Sequence, residues 1–197
     1  MEMKFPKCFR ASNWRKQYDF DVILFSGGGN DIVGGEFRQF LRDFKPSYQW
    51  RDCINFESFE RELSIVESYY RKLVDLRNEY DSQAVVITHG YDHPVPRDAP
   101  IKTPFGDIGP WMHPSFVKRG INDPEMTEQI AGYFIDRLYS MLLSLQATQD
   151  RFVVIDTVGT LNASEWGDEI HPNRGGFRKI SQKFKPIFKD LFPDYVS

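Results

Sequence analysis

The stretch Asp21-Val-Ile-Leu-Phe-Ser-Gly-Gly-Gly-Asn-Asp-Ile-Val-Gly34 decides how this chain folds. An apolar run, Phe20–Phe25, ends in a glycine cluster, and Asn30-Asp31 follow at once. A short run that is apolar almost throughout, instead of alternating, is the pattern of a strand covered on both faces. Ala84–Thr88 and Phe152–Asp156 have the same character. Between the first two runs, Phe59, Leu63, Val66, Tyr70 and Leu73 recur at spacings of three and four and predict a helix from about Glu57 to Tyr80. Between the second and third, Ile130, Phe134, Leu138, Met141 and Leu145 predict another over about 124–145, with Asp123 as its cap and Pro124 in its first turn. A last helix is predicted from near Gly175 towards Phe188, bent or ended around Pro186. Strands alternating with helices define an α/β domain with a parallel sheet and right-handed crossovers.

A length of 197 residues suits one domain spanning 1–197. Its 41% hydrophobic and 27% charged content is ordinary for a soluble globular protein. A formal charge of -3 gives no reason to expect nucleic acid or an anionic membrane as partner. No apolar run approaches the roughly 20 residues of a spanning helix, and Met1–Arg10 lacks the apolar centre of a secretory leader. A soluble, cytoplasmic protein is the expectation. Cys8 and Cys53 read as free thiols, and their spacing suits no zinc motif. No cofactor is called for. Residues 1–18 read as an N-terminal extension. Residues 91–123 carry Pro94, Pro96, Pro100, Pro104, Pro110 and Pro114 around Trp111, Met112 and Phe116. They read as a long loop, either a substrate-facing lid or a cover packed on the body.

Parallel sheets place ligands at the carboxyl ends of their strands. Gly27–Asp31, His89–His93 and the loop leading to His171 all follow strand ends, so the three segments share one edge. Acyl transfer needs a base that takes a proton and later returns it, and histidine titrates in the right range. A carboxylate on the far ring nitrogen orients such a base and stabilises its charged form. Of the four histidines only His171 has an aspartate, Asp168, three residues before it. In the glycine turn, the Asn30 amide can donate to the oxyanion of an ester under attack. A phosphate loop does not fit, because Gly35-Glu36 stand where Lys-Ser/Thr is needed, and Ile32 breaks a dinucleotide fingerprint. His89 and His93 lack the glutamate of a helical zinc motif and precede Pro94, so His89 and Tyr91 read as lining the site, with no metal. His113, between Met112 and Pro114, reads as a packing or surface residue. Arg174–Lys185 reads as a solvated amphipathic helix.

Gly28-Gly-Asn-Asp31 and Asp168-Glu-Ile-His171, the latter followed by Pro172-Asn173, resemble two signature blocks of the SGNH (GDSL-type) hydrolases. The Ser26–Gly34, His89-Gly-Tyr-Asp92 and Gly109-Pro-Trp111 stretches are similar to one bacterial branch of that family. The resemblance implies a three-layer, flavodoxin-like fold and a carboxylesterase or lipase-like activity on small esters. It makes His171 the base, Asp168 its orienting partner, Asn30 with Gly28 the oxyanion site, and Asp31 structural. His89, Tyr91 and Trp111 would face the substrate.

The family's Gly-Asp-Ser nucleophile block is absent, as is the block with a second oxyanion glycine. The resemblance therefore implies a domain without its front strand unit, which residues 1–18 are too few to supply. Phe20–Phe25 would then be an apolar edge strand, to be covered by residues 1–14 or by a second copy in a homodimer. Ser26, at the end of the first strand, is the candidate replacement nucleophile, although a serine there in the family would support the site. Water activated by His171 with Asp31 or Asp168 is the other route. Two classes stay open: an ester hydrolase, and a non-catalytic truncated scaffold that binds ligands or self-associates.

Overall fold

The computed structural model describes residues 20–34, 36–81, 83–104 and 106–194. Its strands are β1 (Val22–Leu24), β2 (Val85–His89), β3 (Ile101–Thr103), β4 (Gly106–Ile108) and β5 (Phe152–Ile155). Its helices are α1 (Gly29–Val33), α2 (Phe56–Tyr80), α3 (His113–Lys118), α4 (Pro124–Thr148) and α5 (Arg174–Leu191). β1, β2 and β5 form a parallel sheet in the order β1-β2-β5, with Val22 opposite Val85 and Val86 opposite Phe152. The architecture is α/β, a three-stranded parallel sheet packed against helices.

Alternate residues of a strand face opposite sides of a sheet, and here both sides are apolar. Val86, Phe152 and Val154 join the buried stripes of α2 and α4 on one face. Val85, Ile87 and Ile155 meet Phe184, Ile187 and Phe188 of α5, with Phe192 just beyond it, on the other. α2 starts where Asn55 accepts the Ser58 N–H, and α4 where Asp123 accepts those of Glu125 and Met126. Phe59 of α2 stacks on Phe134 of α4 with centroids 4.3 Å apart, Phe37 and Phe40 close on the pair edge-on, and Phe116 stands edge-on to Phe37. Each such ring or branched chain contributes roughly 1.5–3 kcal/mol by leaving water. At the other end of α2, the buried Arg77 guanidinium donates to the carbonyls of Ala84 at 2.8 Å, Asp150 at 2.7 Å and Arg151 at 3.1 Å, tying the helix to the amino ends of β2 and β5.

Three expectations need correction. Residues 91–123 are not structureless: β3 and β4 form an antiparallel hairpin with Ile101 opposite Ile108, and α3 follows. Pro114 sits in the first turn of α3, where a missing N–H costs no hydrogen bond, and Phe116 anchors that helix against Phe37. Pro186 does not end α5, which continues to Leu191. Its ring lies on the exposed side, while Phe184, Ile187 and Phe188 hold the other side to the sheet. β1 is not covered on both faces along its length. Val22 packs towards α5 and Ile23 towards α2 and α4, but Leu24, at the end of the strand, is 59% exposed.

Among the described residues β1 has no strand beyond it, and the expected cover by residues 1–14 lies outside those residues, as do the 1–18 extension and Cys8. Cys53 is a free, buried thiol. At the opposite edge of the sheet the Val154 N–H donates to the Gln146 side-chain carbonyl of α4 at 2.6 Å. No helix among the described residues is long and apolar enough to cross a membrane.

Candidate active site

Asp168 and His171 meet in a tight turn after β5. The Asp168 side chain is 6% exposed and its Oδ2 lies 2.9 Å from His171 Nδ1. Its Oδ1 accepts the backbone N–H groups of Ile170 and His171, each at 2.8 Å. One carboxylate therefore both shapes the turn and orients the ring. The turn is closed by the Gly167 N–H donating to the His171 carbonyl, and Asn173 next to it caps α5. A carboxylate can only accept, so Nδ1 carries a proton, and in the neutral ring Nε2 offers the lone pair; the ring is 47% exposed. Trp111 stands edge-on to the same ring at 5.1 Å.

Glu169, which the sequence reading passed over, is fully buried between these elements. It accepts three consecutive backbone N–H groups, from Trp111, Met112 and His113. Burial pushes its carboxyl upwards, and the three N–H donors act against that. The clamp fixes Trp111 beside His171. His113 contributes through its backbone, and no sequence spacing between 111–113 and 169 announces the contact. The segment after β2 is sewn to the same loop: the Val95 N–H donates to the Glu169 carbonyl, and Arg97 to those of Trp166 and Asp168. Buried Asp92 accepts from the N–H groups of Gly159 and Leu161, each at 2.7 Å.

A second cluster lies where β1 and β2 end. Ser26 Oγ is 2.9 Å from His89 Nε2 and 3.2 Å from Tyr91 Oη. The His89 ring lies between those of Tyr91, 4.4 Å away, and Phe184, 5.9 Å away. Burial pushes His89 down to about 4, so it is neutral near pH 7. Tyr91 itself is held at φ 61, a left-handed backbone that costs a non-glycine residue of order 1–3 kcal/mol. The glycine turn fits beneath this cluster. Gly28 has φ 89, and a Cβ there would come within 2.8 Å of Val66, while one on Gly29 would come within 2.6 Å of the Tyr91 ring. Tyr70 Oη donates to the Gly27 carbonyl at 2.8 Å from below. What reads in sequence as a glycine turn becomes the helical turn α1, with Asn30 exposed on it and the Asp31 carboxyl pushed up, chiefly by burial.

The sequence candidates thus gather in two groups, Asp168–His171–Trp111 and Ser26–His89–Tyr91, with Gly28 and Asn30 adjoining the second. No hydrogen bond among the described residues joins Ser26 to His171. His93 turns away from His89 and pairs with Asp136 at 2.7 Å. No three His, Cys, Asp or Glu side chains among the described residues converge as a metal-binding group. Compared with known proteins, the sequence matches no family model and no curated protein.

Proposed function

We propose that this chain is a carboxylesterase-like hydrolase of small esters built on the SGNH plan, with no Gly-Asp-Ser in its sequence. One observation carries the reading: a buried aspartate holds Nδ1 of a half-exposed histidine and leaves Nε2 open, the arrangement that acyl-transfer bases share. Helices on both faces of the parallel sheet support the three-layer, flavodoxin-like form of that plan. His171 Nε2 removes a proton from the attacking hydroxyl, that of Ser26 or of water. The hydroxyl oxygen bonds to the ester carbonyl carbon. The resulting oxyanion is met by the Asn30 amide and the Gly28 turn. The C–O bond to the alcohol then breaks as His171 returns the proton to the leaving oxygen. On the serine route a water deprotonated by His171 next attacks the acyl carbon, the C–O bond to Ser26 breaking as the serine oxygen takes that proton. Trp111, His89 and Tyr91 flank the ester's substituents. The reaction needs no cofactor or metal.

Turnover of p-nitrophenyl acetate by wild type, His171→Ala and Asp168→Asn tests the reading. Loss of activity in the first variant and a fall of roughly 10³–10⁴-fold in the second are expected. A folded wild type with no turnover would favour the second reading, a non-catalytic scaffold that binds ligands or self-associates. That reading draws on the absence of Gly-Asp-Ser from the sequence.

A further inference from the structure

The direction of the hydrogen bond between Ser26 and His89 decides what Ser26 can do. The backbone N–H of Tyr91 points at His89 Nδ1 from 3.2 Å. An amide N–H only donates, so Nδ1 holds a lone pair. Thr157 Oγ1 lies 3.5 Å from the same nitrogen, but its proton is engaged with the Tyr91 carbonyl at 2.7 Å. A neutral imidazole with a bare Nδ1 carries its proton on Nε2, and Nε2 is the nitrogen that faces Ser26 Oγ at 2.9 Å. A second proton on Nδ1 would confront the Tyr91 N–H and would have to be held among the rings of Tyr91 and Phe184. The histidine therefore donates to the serine and cannot take its proton.

We infer that Ser26 is an oxyanion-contacting hydrogen-bond donor of the ester site and not its nucleophile, with His89 as the residue that positions it. The inference rests on the ester-hydrolase reading. A serine hydroxyl has one proton and two acceptor sites. His89 fills one acceptor site, and Tyr91 Oη, 3.2 Å away, can fill the other with its own proton. The serine proton is then left for the exposed side of the cluster, where an arriving oxyanion draws it. In that arrangement both lone pairs are engaged, and Ser26 has none to give to a carbonyl carbon. The attacking oxygen is that of water: its proton passes to His171 Nε2, its oxygen bonds to the carbonyl carbon, and the ester C–O bond breaks as the alcohol oxygen takes the proton from His171.

The test is a long-range proton–nitrogen correlation spectrum of the histidine rings in uniformly ¹⁵N-labelled protein at pH 7, with His89→Asn to assign the ring. A protonated Nε2 and bare Nδ1, with the Nε2 signal moving in Ser26→Ala, is the expected pattern. The reverse tautomer overturns the inference, as does a His171-dependent fluorophosphonate adduct mapped to Ser26. In p-nitrophenyl acetate turnover, Ser26→Ala should lower kcat about 100-fold with KM nearly unchanged, and Ser26→Thr should restore much of it. A fall to the level of His171→Ala counts against the donor role. A folded wild type that turns over no ester defeats the ester reading, while the tautomer pattern independently decides which way the Ser26–His89 bond runs.

Discussion

Main-chain N–H groups of three successive residues, Trp111 to His113, converge on the Glu169 carboxylate in a fully buried setting. Glu169→Ala strands those donors, and at roughly 1–3 kcal/mol for each unsatisfied group the loss should reach at least about 3 kcal/mol. Glu169→Gln keeps the volume but turns an NH2 group towards a donor, so it should also destabilise. Urea unfolding measures both, and because the clamp holds Trp111 beside His171, Trp111 emission should change as well, with Trp111→Phe as the control. His89 gives a pH signature. Its folded value of about 4 lies below its ordinary 6.5, so the unfolded chain takes up the proton first as pH falls. The contribution is complete above about pH 6.5 and is lost as pH drops towards 4, amounting to at most about 3 kcal/mol for a ring with some solvent access. Urea midpoints at pH 7, 5.5 and 4 should show this slope in wild type and a flatter one in His89→Asn.

Secondary elements that bury a long stripe could be read from the sequence. α2 and α4 repeat their apolar residues over about four turns, and caps such as Asp123 mark the start, so their positions follow from local sequence alone. The pairing of Asp168 with His171 is equally local, since three residues of turn bring them together. Other parts had no such signal. The hairpin of β3 and β4 has three-residue strands inside a proline-rich stretch, too short for any period to emerge. Glu169 depends on backbone groups brought in from a distant segment, and the tautomer of His89 on the backbone N–H two residues on; every residue type carries such groups. The glycine turn lies between these cases: its flexibility was legible, and its packing was not. Gly28→Ala places a Cβ at φ 89 and within 2.8 Å of Val66. It should lower stability by upwards of about 1–2 kcal/mol, seen as a lower Tm, with α1 and Asn30 displaced.

On the scale of the whole molecule, the sheet's two edges differ. β1 is one edge among the described residues, and exposed Leu24 ends it. We propose that a second copy of the chain covers this edge, because an apolar edge strand invites pairing. Sedimentation should show a dimer at tens of micromolar, and Leu24→Lys should move the population towards monomer; a wild type that stays monomeric across that range contradicts the proposal. At the opposite edge Gln146 already occupies the outward N–H of Val154. In the language of polymer chemistry, this proposal makes each protomer monofunctional, with one reactive end and one hindered end. On that proposal strand addition stops at a closed pair, and Gln146→Ala, by freeing the Val154 N–H, tests whether a second edge can be opened.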